Sequence, residues 1–194
     1  DLARLVAFSD GVMAVAITLL VLNIETPRVS EDDLGSALVD LFPSFLAYVI
    51  AFAMVGRYWV IHHNLFETFV NFDGRLMALN LTYLMLIVLV PFSANLIDNY
   101  GKEPLAAATF ATTLGLAAFV NWLMTAYALR SGMVHESHRD KTTPWGSPVA
   151  LGFSAIFFLS VPVAFVSVPA AWVLWASTIV LRYPLRTVAR SVSR

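Results

Sequence analysis

Apolar residues in this 194-residue chain come in long unbroken runs, not in the alternation of a half-buried strand or the stripe of a surface helix. A bilayer core of about 30 Å needs about 20 apolar residues in a helix rising about 1.5 Å per residue. About six runs meet or approach that length. They run roughly from Leu2 to Glu25, Ala37 to His62, Gly74 to Ile97, Leu105 to Leu129, Gly146 to Val166, and Val168 to Val188. Turn residues and charges separate them at Glu25–Asp33, Asn71–Gly74, Asp98–Pro104 and Ser131–Pro148. Only Val166-Ser167-Val168-Pro169 parts the last two, and a proline in a first helical turn permits a very tight hairpin there. Pro91 and Pro162 fall inside apolar runs and are expected to kink them, neighbours taking up the freed carbonyls. No repeat divides the chain. The expected architecture is an all-α membrane protein with six transmembrane helices in a single domain, residues 1–194.

The basic residues give this arrangement a direction. An even number of spans places Arg4, Arg57, Arg75, Arg130, Arg139, Lys141, Arg182, Arg186, Arg190 and Arg194 on one side. The other side keeps Arg28 and Lys102, together with Glu25, Glu31, Asp32, Asp33, Asp40, Asp98 and Glu103. The positive-inside rule then puts both termini in the cytoplasm of a multi-pass plasma-membrane protein.

Composition narrows the chemistry. Charged residues make up 13% of the chain and hydrophobic ones 59%, where a soluble domain wets its surface with about 25% charged residues. A net charge of -1 argues against a nucleic-acid partner, which would need a basic face. There is no cysteine, so disulfides, thiolate metal sites and thiol nucleophiles are excluded. The first apolar run is too long for a cleavable signal and is followed by more of its kind. Neither a Ser–His–carboxylate spacing nor a glycine-rich phosphate loop is present, so no enzyme activity or cofactor is expected. A Thr-Val-Gly-Tyr-Gly carbonyl filter is also absent.

Polar groups inside apolar helices are costly and mark function by default. At 100° per residue, Gly11, Val15, Thr18, Leu22 and Glu25 form one stripe on the first helix, with Leu19 at its edge. Their heptad-like spacing suits a seam between copies of the same helix. Such a seam is either plain helix packing, helped by Gly11 and Ala14, or the lining of a narrow apolar pore. Asp10 lies about 140° from Val15 and so faces neighbouring helices. Arg4, Phe8, Ser9, Asp10, Trp59, His62, His63 and Asn80 gather toward the cytoplasmic side. They are expected to form a buried network in which Asp10 accepts from a histidine or an arginine. Trp59 taken alone reads better as part of an interfacial aromatic belt. His62, His63 and Glu67 are weighed as a metal site and set aside, because adjacent histidines point to different faces. His135, Glu136 and His138 read as solvated loop residues, and Arg182, Arg186 and Arg190 as an anchor to anionic lipid headgroups.

The opening Arg4-Leu5-Val6-Ala7-Phe8-Ser9-Asp10-Gly11 resembles the Arg-x-x-x-Phe-Ser-Asp motif of the transmembrane protein 175 family of potassium channels. The likeness continues through Ala16–Leu22, Trp59, His62-His63, and Asn80 to Pro91-Phe92-Ser93. The resemblance implies a homotetramer of six-helix subunits with the first helix lining a central pore. It places an apolar constriction at Val15, Leu19 and Leu22 with Thr18 nearby, Val15 being smaller than the family's usual isoleucine or leucine. It also implies a Phe-Ser-Asp element that holds the first helix against the second and third. The expected function is passive conduction favouring potassium, with Glu25 and the acidic first loop concentrating cations at the mouth. The expected partners are a second copy of the chain, potassium and other monovalent cations, and membrane lipids. The alternative is a proton-coupled secondary transporter using Asp10 and His62 or His63.

Overall fold

The computed structural model describes residues 1–135 and 148–180; the side chains of residues 148–150 and 179–180 are not described. Glu136, His138, Arg139, Lys141, Arg182, Arg186, Arg190 and Arg194 therefore lie outside the described residues. The described chain is helical almost throughout. Helix α1 spans Leu2–Leu19 and continues as a 3₁₀ turn over Leu20–Asn23. A short 3₁₀ turn at Glu31–Asp33 leads into α2, Leu34–Asp40. Then come α3, Phe42–Phe66, α4, Gly74–Val88, α5, Val90–Asn99, and α6, Pro104–Arg130. The last described helices are α7, Pro148–Val166, and α8, Val168–Val180.

Helix ends follow local chemistry. The Asp73 carboxylate accepts the Arg75 and Leu76 backbone N–H groups at 3.1 and 2.9 Å, capping α4 where four donors would otherwise be orphaned. Proline opens α3, α5 and α6 within the first two positions, where its missing N–H costs nothing. Gly132, at φ +69°, ends α6; the Met133 N–H reaches the Ala128 carbonyl at 2.9 Å in a Schellman closure that favours glycine. A single residue, Ser167, separates α7 from α8.

Two expectations change. The run from Ala37 to His62 is not one helix: it breaks at Leu41, because Pro43 has no N–H to carry the i→i−4 ladder on to the Val39 carbonyl. At Pro91 the run is interrupted and not merely bent. The helix stops at Leu89 and restarts at Val90, which puts Pro91 in the first turn of α5. The Asn23 amide donates to the Pro91 carbonyl at 3.0 Å and ties the end of α1 to this break.

Packing is centred on α6, which lies chiefly against α7 and α4. Its buried face is rich in small residues, including Ala107, Ala111, Gly115 and Ala118, which let neighbouring backbones approach closely. A Cβ on Gly115 would sit 3.1 Å from the Phe158 ring and 3.3 Å from the Phe157 Cβ. By contrast, of the four long apolar segments those of α1 and α3 are the least buried. On the other side of α1, Leu5, Ser9, Met13, Ala16 and Leu20 form the face turned into the subunit. Among the described residues four segments are long and apolar enough to cross a membrane: Leu2–Asn23, Phe42–Phe66, Gly74–Asn99 and Pro104–Arg130. The apolar stretch Leu151–Val166 is shorter.

Candidate functional site

The site is built on α1, whose two faces have opposite surroundings. On the inner face Ser9 is fully buried; its hydroxyl donates to the Leu5 carbonyl at 2.8 Å and accepts from the Asn80 amide of α4 at 2.8 Å. That use of the Asn80 nitrogen turns its oxygen toward α3, where it meets His62 Nε2 at 2.8 Å. An amide oxygen only accepts, so Nε2 carries the imidazole proton. His62 Nδ1 is buried without a hydrogen-bond partner. The ring lies between Phe66 and Tyr83, at centroid distances of 4.3 and 5.1 Å. The Tyr83 hydroxyl donates to the Tyr58 carbonyl at 3.0 Å and the Tyr58 hydroxyl to the Leu114 carbonyl at 2.7 Å, so the polar chain continues from α4 through α3 into α6.

Asp10 makes a second tie. Its carboxylate accepts from the Trp59 indole N–H of α3 at 2.9 Å. The donor is therefore tryptophan, not the histidine or arginine expected, because the helix faces sort the three candidates. Trp59 and His63 are four residues apart and stack at 5.4 Å on the outer face, and His63 pairs with Glu67 at 3.3 Å. His62, one position away, is turned into the core. Arg4 and Phe8 do not join either tie: both are exposed, and Arg4 has no polar partner among the described residues. Sequence reasoning missed Tyr58 and Tyr83, whose hydroxyl spacing on separate helices carries no local signal.

The described residues leave the outer face of α1 exposed. Val15 is 58% exposed, Leu19 38% and Leu22 73%, and Gly11 and Thr18 are exposed with them. The Thr18 hydroxyl donates to the Val15 carbonyl at 2.8 Å, leaving its lone pairs outward. Because the helix tightens to 3₁₀ from Leu20, Leu22 sits further round than an α-helical count places it, yet on the same open side. Glu25 follows beyond the helix and is exposed. The histidines, Asp10 and Glu67 do not converge: no group of three metal-ligating side chains occurs among the described residues.

Beyond the membrane-spanning segments, Asp73 also accepts the Tyr127 hydroxyl of α6, and its carboxyl is held below the ordinary value. The Leu76 backbone N–H contributes most to that shift and Tyr127 next. Nearby, Phe69 and Val134 pair as an isolated antiparallel bridge, with the Val70 N–H on the Met133 carbonyl at 2.9 Å.

Comparison with known proteins gives one consistent picture. The family described as "Endosomal/lysosomal potassium channel TMEM175" matches residues 4–91. A potassium channel of Streptomyces collinus is 33% identical over 172 residues, covering 86% of this chain and 84% of that protein. One from Chamaesiphon minutus is 39% identical over 119 residues, 60% of this chain and 59% of that protein. The crystal structure of a lysosomal potassium-selective channel TMEM175 homologue from Chamaesiphon minutus superposes with a TM-score of 0.78 at 28% identity. It covers 92% of this chain and 94% of that one. The matched family segment takes in α1 from Arg4 onward and both of its ties.

Proposed function

Because the chain belongs to the TMEM175 family of multi-pass membrane channels, we propose that it is a potassium-favouring cation channel whose α1 lines the conduction path. The observation that carries the reading is the two-sidedness of α1. Ser9 and Asp10 bind its inner face to α3 and α4, while Val15, Thr18, Leu19 and Leu22 stay uncovered along the opposite side. In this reading four subunits, each of six spans with both termini in the cytoplasm of the cell membrane, surround an axis toward which those four residues project. Potassium permeates passively and no cofactor takes part.

Apolar rings cannot replace a hydration shell as carbonyls do, so the ion passes at least partly hydrated. A narrow ring then discriminates by the work of removing water, which is greater for sodium than for potassium. Glu25 and the acidic 31–33 turn, both beyond the end of α1, raise the local cation concentration through a screened field. The rigid attachment of α1 by Ser9, Asp10 and Asn23 keeps the ring from collapsing or widening. The test is a bilayer recording of the purified protein under a potassium/sodium bi-ionic gradient. Unitary currents reversing toward the potassium equilibrium potential are expected. Coupled uptake into liposomes without unitary currents would replace this reading with a carrier using Asp10.

A further inference from the structure

The one polar side chain in the last turn of α1 does not cap its own helix. Within residues 20–24 only Asn23 is polar, and its amide crosses to the buried Pro91, donating to that carbonyl at 3.0 Å. A carbonyl oxygen has two lone pairs, so Pro91 accepts this bond without giving up its place in α5. The tie falls where the backbone changes form. From Leu20 to Asn23 the helix is 3₁₀, and the Ile24 N–H closes the turn on the Val21 carbonyl at 3.1 Å.

Many α-helices end in a 3₁₀ turn, but here its form decides where two side chains point. In a 3₁₀-helix residues i and i+3 eclipse, whereas in an α-helix they lie about 60° apart. Eclipsing sets Leu22 in line with Leu19 on the open side. It also sets Asn23 in line with the buried Leu20, on the side that meets α3 and α5. An α-helical continuation would return Leu22 to within about 20° of Val15 and swing Asn23 about 60° away from its acceptor. It would also draw the four residues in by about 2 Å, because the rise per residue falls from about 2.0 to about 1.5 Å. Hydrogen bonds within a 3₁₀ turn have the poorer geometry, so this one needs a hold from outside itself.

We propose that Asn23 is that hold: through Pro91 it fixes the 3₁₀ turn, and with it the direction of Leu22, so that Leu19 and Leu22 form one stacked constriction. Resting on the channel reading, this makes Asn23 a positioning residue for ion selection that acts through Leu22 and not on the ion. Ser9 and Asp10 anchor the opposite end of α1, about 20 Å away along the helix, and leave the direction of this turn open.

Two measurements test this, one of them blind to conduction. Hydrogen–deuterium exchange of the purified protein should rise about threefold over residues 19–25 in Asn23→Leu and Asn23→Ala, as the loss of one interhelical hydrogen bond implies, with residues 2–15 unchanged. In bilayers under a potassium/sodium bi-ionic gradient, both variants should move the reversal potential toward zero. Asn23→Gln, which keeps the donor, should stay near wild type. In a Leu22→Ala background Asn23→Leu should add no further shift, whereas a general loosening of the subunit would add one. Wild-type exchange over residues 19–25, wild-type selectivity in Asn23→Leu, or a shift that adds to that of Leu22→Ala each overturns the positioning role and leaves the channel reading standing. A wild-type protein without potassium-favouring current overturns the channel reading, and the constriction at Leu22 with it, whatever the exchange rates.

Discussion

Replacing Asn80 with alanine isolates the tie between α1 and its scaffold. The side chain is fully buried and makes two hydrogen bonds, one to Ser9 and one with His62. Its loss leaves the His62 Nε2–H without an acceptor, beside an Nδ1 that already has no partner. An orphaned buried donor costs about 1–3 kcal/mol. Ser9 loses only an accepted bond and keeps its donation to Leu5, a smaller loss of about 0.5–1 kcal/mol. Adding a small void, the total is about 2–4 kcal/mol. Interhelical hydrogen bonds in membranes average only about 0.6 kcal/mol, because the unfolded chain finds other partners. The measured value therefore decides whether this network is ordinary. The assay is reversible unfolding in mixed micelles at fixed protein concentration, with Ser9→Ala and the double variant completing a cycle. A loss near 0.6 kcal/mol with no coupling to Ser9 would refute the view that Asn80 anchors α1.

Other residues give sharper contrasts. Asp10→Asn keeps an acceptor for the Trp59 indole and should be milder than Asp10→Ala, which loses a charge-assisted bond of about 1.5–3 kcal/mol; equal stabilities of the two variants would count against the tie. Gly115→Val should destabilise by about 1–3 kcal/mol in the same unfolding assay, because its Cβ alone reaches the Phe157 and Phe158 side chains; wild-type stability would mean that α6 and α7 are not so closely apposed. Asp73 has a lowered carboxyl pKa, so its stabilisation is present above its unfolded value and is lost as pH falls through the folded one. Asp73→Ala should thus be less stable than wild type at neutral pH, the gap closing only in acid, and a gap unchanged into strong acid would exclude the cap and the Tyr127 bond as its cause.

Much of this was legible along the chain because the bilayer demands long apolar helices and punctuates them with strong signals. The start set at Gly74 matches the helix that Asp73 caps, and the one set at Leu105 falls one residue inside the helix that Pro104 opens. The open side of α1 followed from a spacing of three and four residues, which survives the change to 3₁₀ at Leu20. The break at Leu41 was not recovered, because hydropathy runs smoothly across it and only the proline two residues on marks it; the one at Leu89 was expected only as a kink at Pro91. The partner of Asp10 was misassigned for a similar reason. Local spacing allowed Trp59 to share a face with His62 or His63, and only the packing of Tyr83 and Phe66 around His62 separates the two. Asn23 and Pro91 lie 68 positions apart, and their meeting has no trace in either segment.

The central claim is that the uncovered side of α1 faces the ion. The chain has no cysteine, so single cysteines can be placed in an otherwise thiol-free background. The decisive measurement is block of single-channel current by a cationic thiol reagent at Val15, Thr18, Leu19 and Leu22, against Met13 and Ala16 on the buried side. Rapid block at the first four positions and none at the last two is the predicted result. Block at Met13 or Ala16 with the open side silent would contradict it and move the conduction path away from that side of α1.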